Sequence, residues 1–274
     1  LAQAYVEGAT IIADKIEKGR TTGNCIKESG EVSSVSSSSG DFNLSVSYKN
    51  YVLCSTGGAY KDSDGNFVAA APMMTPAPES NSSEWNLTPL TTLVTTQPSL
   101  KTKLDEFGGW NKDIASNDGV PSKLLRVAKT VETYWKVSSK LTADANKQLL
   151  ALNNLAQTFK DNNLPTDDVS LKGLTSAAIE ISLSNEDINQ NKYSAEPIKI
   201  LLDTAVSKIV NIVKNTTETV IEKNLQKKFD NATTELENNV EYTLGKTPIL
   251  REIKKIGETD NPNPIFYFTS NLAE

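Results

Sequence analysis

Histidine does not occur in this 274-residue chain. Without imidazole there is no Ser-His-Asp or Cys-His nucleophilic site, no histidine general base and no histidine ligand for zinc or iron. Cysteine occurs twice, too few for a four-thiolate zinc site. No serine is followed three residues later by lysine, and neither a G-x-x-x-x-G-K loop nor a G-x-G-x-x-G turn is present. Acyl-enzyme and nucleotide chemistry therefore have no motif to rest on. Aspartate and glutamate are numerous enough for a glycosidase pair, but no pair is singled out by its surroundings. We expect no catalytic residue and a protein that is not an enzyme.

Two further absences bound the partners. No apolar run approaches the roughly 20 residues of a membrane span, and the opening residues lack a charged-then-apolar signal. We expect a soluble chain with no transmembrane segment, compatible with an export signal or lipid anchor upstream of Leu1. The net charge of −6 arises from 28 Lys and Arg dispersed among 34 Asp and Glu. That leaves no basic patch for nucleic acid.

What is present begins with β-like patterning. Residues 5–14 combine Tyr5, Val6, Ile11 and Ile12 around one glycine and read as a first strand. Residues 17–35 are polar and broken by Gly19, Gly23 and Gly30, a loop or edge strand leading into serines 36–39. Residues 40–67 organise the rest. Phe42, Leu44, Val46 and Tyr48 alternate with Asn43, Ser45 and Ser47, the period of a strand burying one face. Lys49 and Asn50 can turn the chain into a second strand at residues 51–54, which ends at a bend permitted by Gly57 and Gly58. Strands this polar need partners from the flanking segments. Cys25 and Cys54 are expected to be bonded, which suits an oxidising compartment, two buried thiols being the alternative.

A family resemblance rests on an ordered set of these elements. VEGATIIAD followed by SSSSGDFNLSV is similar to the G-A-x-V … T-x-x-x-G-x-F-x-L pattern of the prealbumin-like β-sandwiches called carboxypeptidase-regulatory-like domains. In a group of bacterial secreted proteins and lipoproteins such a domain is followed by T-G-G, an Asp/Gly-rich turn, a proline-rich stretch, P-L-T-T-L and then helices. Here these are Thr56-Gly57-Gly58, Asp62-Ser63-Asp64-Gly65, residues 72–78 and Pro89-Leu90-Thr91-Thr92-Leu93. The resemblance covers roughly the first hundred residues and implies a sandwich fold in a cell-envelope or extracellular protein. It carries over no catalytic residue.

Beyond Asn66-Phe67-Val68, which resumes a strand, Pro72, Pro76 and Pro78 dictate an extended, ladder-poor path. Residues 87–94 read as a domain junction, a last strand or a first helical turn. After Gln97 the period becomes helical: residues 100–107, a helix opened by Pro121, another after Thr142, and a fourth capped by Asp167 and Asp168. From 195 to 240 apolar residues recur at helical spacing over what would be roughly 65 Å if straight, so this helix breaks or projects, and Asn215-Thr216-Thr217 is its weakest point. A short helix is expected at residues 249–256. After Pro262 and Pro264, residues Ile265, Phe266, Tyr267, Phe268 and Thr269 read as a lone strand.

The expected fold is α+β: an antiparallel β-sandwich over residues 1–98, a helical bundle with one long helix over 99–259, and an extended tail or strand over 260–274. Asp62, Asp64 and Asn66 around Gly65 offer oxygen ligands at alternate positions, making calcium the one candidate cofactor, with a plain hairpin turn as the competing reading. Asn43, Asn81, Asn86, Asn215 and Asn231 fit the N-x-S/T pattern. Trp85, Trp110 and Trp135 are candidate stacking platforms, Trp135 reading more as core. The function expected is a non-enzymatic extracellular or cell-surface structural protein, an adhesin or filament subunit joining to copies of itself or to surface proteins. Tyr5, Ile11 and Ile12 at one end, and residues 265–268 at the other, are its candidates for strand exchange. The alternative is an envelope lipoprotein that captures a sugar, peptide or metal between sandwich and helices.

Overall fold

The computed structural model describes residues 5–16, 23–78, 85–115, 120–214 and 225–245. Among these residues six strands precede seven helices, an α+β arrangement. β1 (Thr10–Lys15), β2 (Ser33–Val35), β3 (Tyr51–Thr56) and β6 (Met73–Pro76) form an antiparallel sheet in the order β2-β1-β3-β6. β4 (Ala59–Lys61) and β5 (Phe67–Ala69) form a separate hairpin.

Register divides the sheet into two faces. Directly opposed residues share a face, so Ile11 and Ala13 lie with Ser55, Leu53 and Met73, while Ile12 and Asp14 lie with Cys54, Val52 and Met74. Residues 42–47 belong to no strand and Tyr48 lies in a bend, which corrects the expected central strand. Their alternation is real, Phe42, Leu44 and Val46 being half-buried and Asn43, Ser45 and Ser47 exposed. Period two assigns faces; it supplies no ladder partner. The prolines of residues 72–78, expected to keep that stretch out of a ladder, instead accommodate β6, an edge strand bonded on one side to β3.

Residues 87–94 lead into a helix, α1 (Pro89–Thr96). Thr88 and Thr91 form a reciprocal capping box, and Pro89 sits in the first turn, where its missing N–H costs nothing. The outer edge of β6 is covered by α1. The Met74 N–H donates to Thr92 Oγ1 at 3.0 Å, and Thr91 Oγ1 donates to the Met74 carbonyl at 2.7 Å. Threonine hydroxyls thus replace a strand as partners for an exposed edge.

The helices continue as α2 (Leu100–Glu106), α3 (Ser122–Leu141), α4 (Ala145–Asp161), α5 (Asp168–Ser184), α6 (Ala195–Lys214) and α7 (Leu225–Thr243). α3 packs against α1, α4, α5, α6 and α7, and its Tyr134 is fully buried with its hydroxyl bonded to Ala178 O and Ser182 Oγ. Leu90, Leu93 and Val94 of α1 join Leu125, Val131, Phe159, Ile209 and Phe229 in the same apolar core. Of the two outcomes expected for 195–240, a break or one long projecting helix, the second is corrected: α6 ends at Lys214, beside the expected weak point, and α6 and α7 are separate helices packed on each other, with Lys208 bonded to Glu235 at 2.6 Å. A projecting helix would leave Ile209, Val213, Phe229 and Leu236 in water, whereas folding back buries all four. The expected helix at 249–256 and the expected strand at 265–269 lie outside the described residues. No helix of the described residues is long and apolar enough to cross a membrane.

Candidate binding cleft

The two faces of the sheet are closed differently. Behind Val52, Cys54 and Met74 lies the Cys25–Cys54 disulfide, with Ile16 and Leu149 packed against the cluster. Asp14 is 2% exposed on this face. Its Oδ2 accepts the Cys25 N–H and lies 3.7 Å from Cys54 Sγ. Burial pushes the Asp14 carboxyl above its ordinary range, and the Cys25 N–H only partly offsets this. Gly23 comes so close that a Cβ there would sit 2.1 Å from an Asp14 carboxylate oxygen. Asp14, Cys25 and Cys54 have the spacing of a metal cluster, but both sulfurs are joined to each other and carry no thiolate.

The opposite face opens into a cleft of about 1070 Å³. Its floor is Ala9, Ile11, Leu53, Ser55 and Met73, with Tyr51 beside them. One wall is the extended segment, through Phe42, Leu44 and Val46; the other runs through Trp85, Asn86, Asn111 and Ile114. The far wall is tied to itself: Asn86 N–H donates to Asn111 Oδ1 at 3.0 Å, Asn86 Nδ2 donates to Asn111 O at 2.8 Å, and Trp85 meets Trp110 edge to face at 5.6 Å. Tyr5 spans the two walls. Its ring lies against Gly40, whose φ of +80° and lack of a Cβ permit the approach, and its hydroxyl donates to Asp113 at 3.0 Å.

The extended wall is held at both ends. At one end a turn is closed by Ser37 N–H to Asp41 O and Gly40 N–H to Ser37 O. At the other, Tyr48 OH donates to Ala13 O and accepts from Val32 N–H, while Lys15 Nζ sits 4.6 Å from the Tyr48 ring centre. Between these anchors, no N–H or carbonyl of residues 42–47 has a protein partner among the described residues. The wall has the side-chain alternation of a strand without a hydrogen-bonding neighbour among the described residues, and unpaired backbone groups can serve as a template for another strand.

The residues expected to act fall as follows. Tyr5 and Ile11 line the cleft, whereas Ile12 is buried on the sealed face. β1, which carries Ile11 and Ile12, is paired on both sides by strands of its own chain. Residues 265–268 lie outside the described residues. Asp62 accepts from the N–H groups of Asp64 and Asn66 at 2.9 and 2.8 Å and from Asn66 Nδ2 at 3.2 Å. Desolvation opposes ionisation there, and these donors outweigh it, so the carboxyl is held below its ordinary range. Asp64 pairs with Lys227 at 3.1 Å, and Ser63 N–H donates to Asp230. The turn is thereby stitched to α7, and a calcium ion would have to displace Lys227 and turn Asn66 around. Asn43 is exposed on the cleft rim; Asn86 is engaged in the far wall.

A buried charged group that the sequence did not mark joins the hairpin to the helices. Lys129 pairs with Glu132 at 2.9 Å and lies 4.9 Å from the Phe229 ring centre, and Lys136 reaches Tyr60 OH at 3.3 Å and Glu237 at 3.7 Å. Burial would raise the Glu132 carboxyl, but Lys129 and Lys136 together hold it below its ordinary range. Burial drives the Tyr60 hydroxyl far upward, so it stays protonated. Opposite charges here satisfy each other, which makes the group a fastening between hairpin and α3. The cleft's far wall was likewise unmarked by periodicity; Trp85 and Trp110 were its only signal.

Comparison of the chain with protein-family models, curated proteins and solved structures returned no match.

Proposed function

We propose that this is a non-enzymatic structural or adhesive protein of the cell surface or extracellular space that joins protein partners by strand addition in the cleft. One observation carries the reading: residues 42–47 alternate half-buried and exposed side chains, belong to no strand and have no backbone partner among the described residues, beside a cleft floored by Ile11, Leu53 and Met73. An added strand would find backbone partners along the wall and apolar ground beneath, the combination that gives strand addition its affinity and specificity. The sandwich implied by the resemblance to carboxypeptidase-regulatory-like domains fits this account. On this reading the four-stranded sheet would be one layer of the sandwich, and an incoming strand beside residues 42–47 would build up the second. The disulfide suits an oxidising compartment, and the helices act as the rigid body that carries the acceptor.

The size of the cleft and its aromatic rim also favour a second reading, an envelope lipoprotein that captures a small ligand such as a sugar. Trp85, Tyr5 and Tyr51 offer stacking faces, and Asn43, Asn111 and Asp41 offer polar groups. One experiment separates the two. The protein is titrated, with tryptophan fluorescence as readout, against ten-residue peptides of alternating apolar pattern, the same peptides N-methylated at alternate amides, and a set of oligosaccharides. Strand addition predicts peptide binding that N-methylation abolishes. Saccharide binding without peptide binding selects the second reading, and peptide binding indifferent to N-methylation overturns the first.

A further inference from the structure

We propose that Asp14 is the proton acceptor with which this chain closes its own disulfide: it takes the thiol proton of Cys54 as that sulfur attacks a mixed disulfide carried on Cys25. Asp14 Oδ2 accepts the Cys25 N–H and lies 3.7 Å from Cys54 Sγ, so one oxygen reaches the residues on both sides of the bond. The carboxyl is 2% exposed, and Gly23 lies so close to it that no Cβ would fit between them. An asparagine would accept the same N–H without the cost of burying a charge. Only a carboxylate can also take up a proton. The reaction is a single turnover on the chain itself and stands apart from the strand-addition reading.

Burial sets the order of events. Cys54 is 0% exposed in β3, which is paired on one side with β1 and on the other with β6. Cys25 lies in residues 23–32, which belong to no strand. A reagent therefore reaches Cys25 by displacing a loop, and would have to break the sheet to reach Cys54. The oxidant is a low-molecular-weight disulfide. The Cys25 thiolate attacks it, forming the mixed disulfide and releasing one small thiolate. Cys54 then attacks the Cys25 sulfur, the Cys25–Cys54 bond forms, and the bond to the second small thiolate breaks. The Cys54 proton passes to Asp14 and later to solvent, while both departing thiolates take protons from solvent. Two protein thiols are oxidised and one small disulfide is reduced to two thiols. A thiol in apolar surroundings gives up its proton reluctantly, so an acceptor beside it decides the rate.

The charged groups around Asp14 favour proton uptake. Glu28 and Glu31, from the Cys25 loop, both raise its proton affinity, against the lowering effect of the Cys25 and Asn24 N–H groups. Lys15, its neighbour on β1, turns its ammonium to Gly30 O and the Tyr48 ring. The Tyr48 hydroxyl, pushed upward by burial, stays protonated on Ala13 O. Val52, Met74 and Leu149, which complete the cluster about the disulfide, are uncharged.

The test uses the full chain and its Asp14→Asn variant, reduced with dithiothreitol, freed of it and checked for the native circular dichroism spectrum. Each is mixed with glutathione disulfide between pH 6 and 9.5. Acid-quenched samples are resolved by intact mass into reduced, mixed-disulfide and closed chains, which times the closure step on its own, and the glutathione is located by peptide mapping. Glutathione on Cys25 is expected, with closure slowed about tenfold or more in the variant near pH 7. The two rates should converge by pH 9.5, where the thiol ionises without help. Glutathione retained on Cys54, equal closure at pH 7, or the same slowing at every pH, which a merely structural role would give, each overturns the proposal. So does a reduced parent without the native spectrum, because Asp14 and Cys54 would not then be held together. The parent alone supplies a second reading: its closure rate should run level with pH between the carboxyl and thiol ranges, and a tenfold rise per pH unit throughout would mean that Asp14 takes no proton.

Discussion

Adjacent residues of the same strands build the two faces of the sheet, yet one face is sealed by a disulfide and the other lies under a cleft. Met74 and Met73 show the difference over a single peptide bond. Met74 faces the disulfide cluster and is 1% exposed, while Met73 lines the cleft at 7%. The sealed face is closed by contacts distant in sequence, Cys25 to Cys54 and Leu149 against the cluster of Val52, Cys54 and Met74. The other face is covered by residues 42–47 on one side and by Trp85, Asn86 and Ile114 on the other, with a cleft between them. Both sides of the sheet bury their apolar residues, but one does so against a disulfide and the other beneath a cleft.

The largest expected effect comes from unsealing the closed face. The disulfide closes a loop with a sequence separation of 29, which in the chain-entropy model stabilises by about 3–4 kcal/mol. The double replacement Cys25→Ser with Cys54→Ser should lower the urea midpoint accordingly, and dithiothreitol should do the same to the parent protein. A midpoint unmoved by both would mean that the sealed face does not depend on its bond.

Next comes the methionine pair. Met74→Ala should cost about 2–3 kcal/mol, within the range for truncating a buried methionine. Met73→Ala should cost roughly 1 kcal/mol, because a side already open to a cleft loses fewer packing partners. Equal costs in urea melts would break the comparison between the faces.

Alternation along the strands made both faces legible in the sequence, but not what covers each. Phe42, Leu44 and Val46 were readable as one side of an extended chain. Whether a ladder forms depends on a neighbour brought from elsewhere, and no local pattern encodes that. The same limit explains the run from 195 to 240, where apolar spacing is identical for one projecting helix and for two that fold together; only the burial of Phe229 against the other helices decides. Residues 87–94 were ambiguous because threonine-rich sequence has weak helix propensity. The deciding features were the Thr88 capping box and the hydroxyl bonds that α1 makes to Met74. The cysteine pair was readable, as there was one possible pairing. The cleft was readable only in fragments, Tyr5 and Ile11 on one side and Trp85 on the other, because its walls come from segments more than forty residues apart.

A smaller effect separates the faces by pH. Asp14 is held above the ordinary carboxylate range by burial, so the folded protein binds its proton more tightly than the unfolded chain. The stability linked to this group is fully present below the unfolded value and is lost as pH rises through the folded one. Asp14→Asn keeps an acceptor for the Cys25 N–H and removes the charge. The variant should match the parent near pH 3.5 and become the more stable of the two as pH rises toward 7. Thermal melts across that range would show it, and a parent that gains stability relative to the variant over the same rise would reverse the assignment.

The smallest expected effect on stability falls on the open face and has the largest consequence for binding. Ser45 is exposed, and its N–H has no protein partner among the described residues. Proline tolerates an extended backbone, so Ser45→Pro should change stability by about 1 kcal/mol or less. It deletes one donor from the wall and, through the ring, disfavours a partner on that edge. N–H groups of successive residues point to opposite edges of an extended chain, so Val46→Pro deletes a donor from the other edge at a modest further loss of apolar contact. If a strand pairs along one edge of this wall, only one of the two substitutions should weaken binding of the ten-residue alternating peptides by tenfold or more. The direction of the difference identifies which edge is used. If both prolines leave binding intact, the peptide is held by side chains alone, and the open face is an apolar pocket without a backbone template.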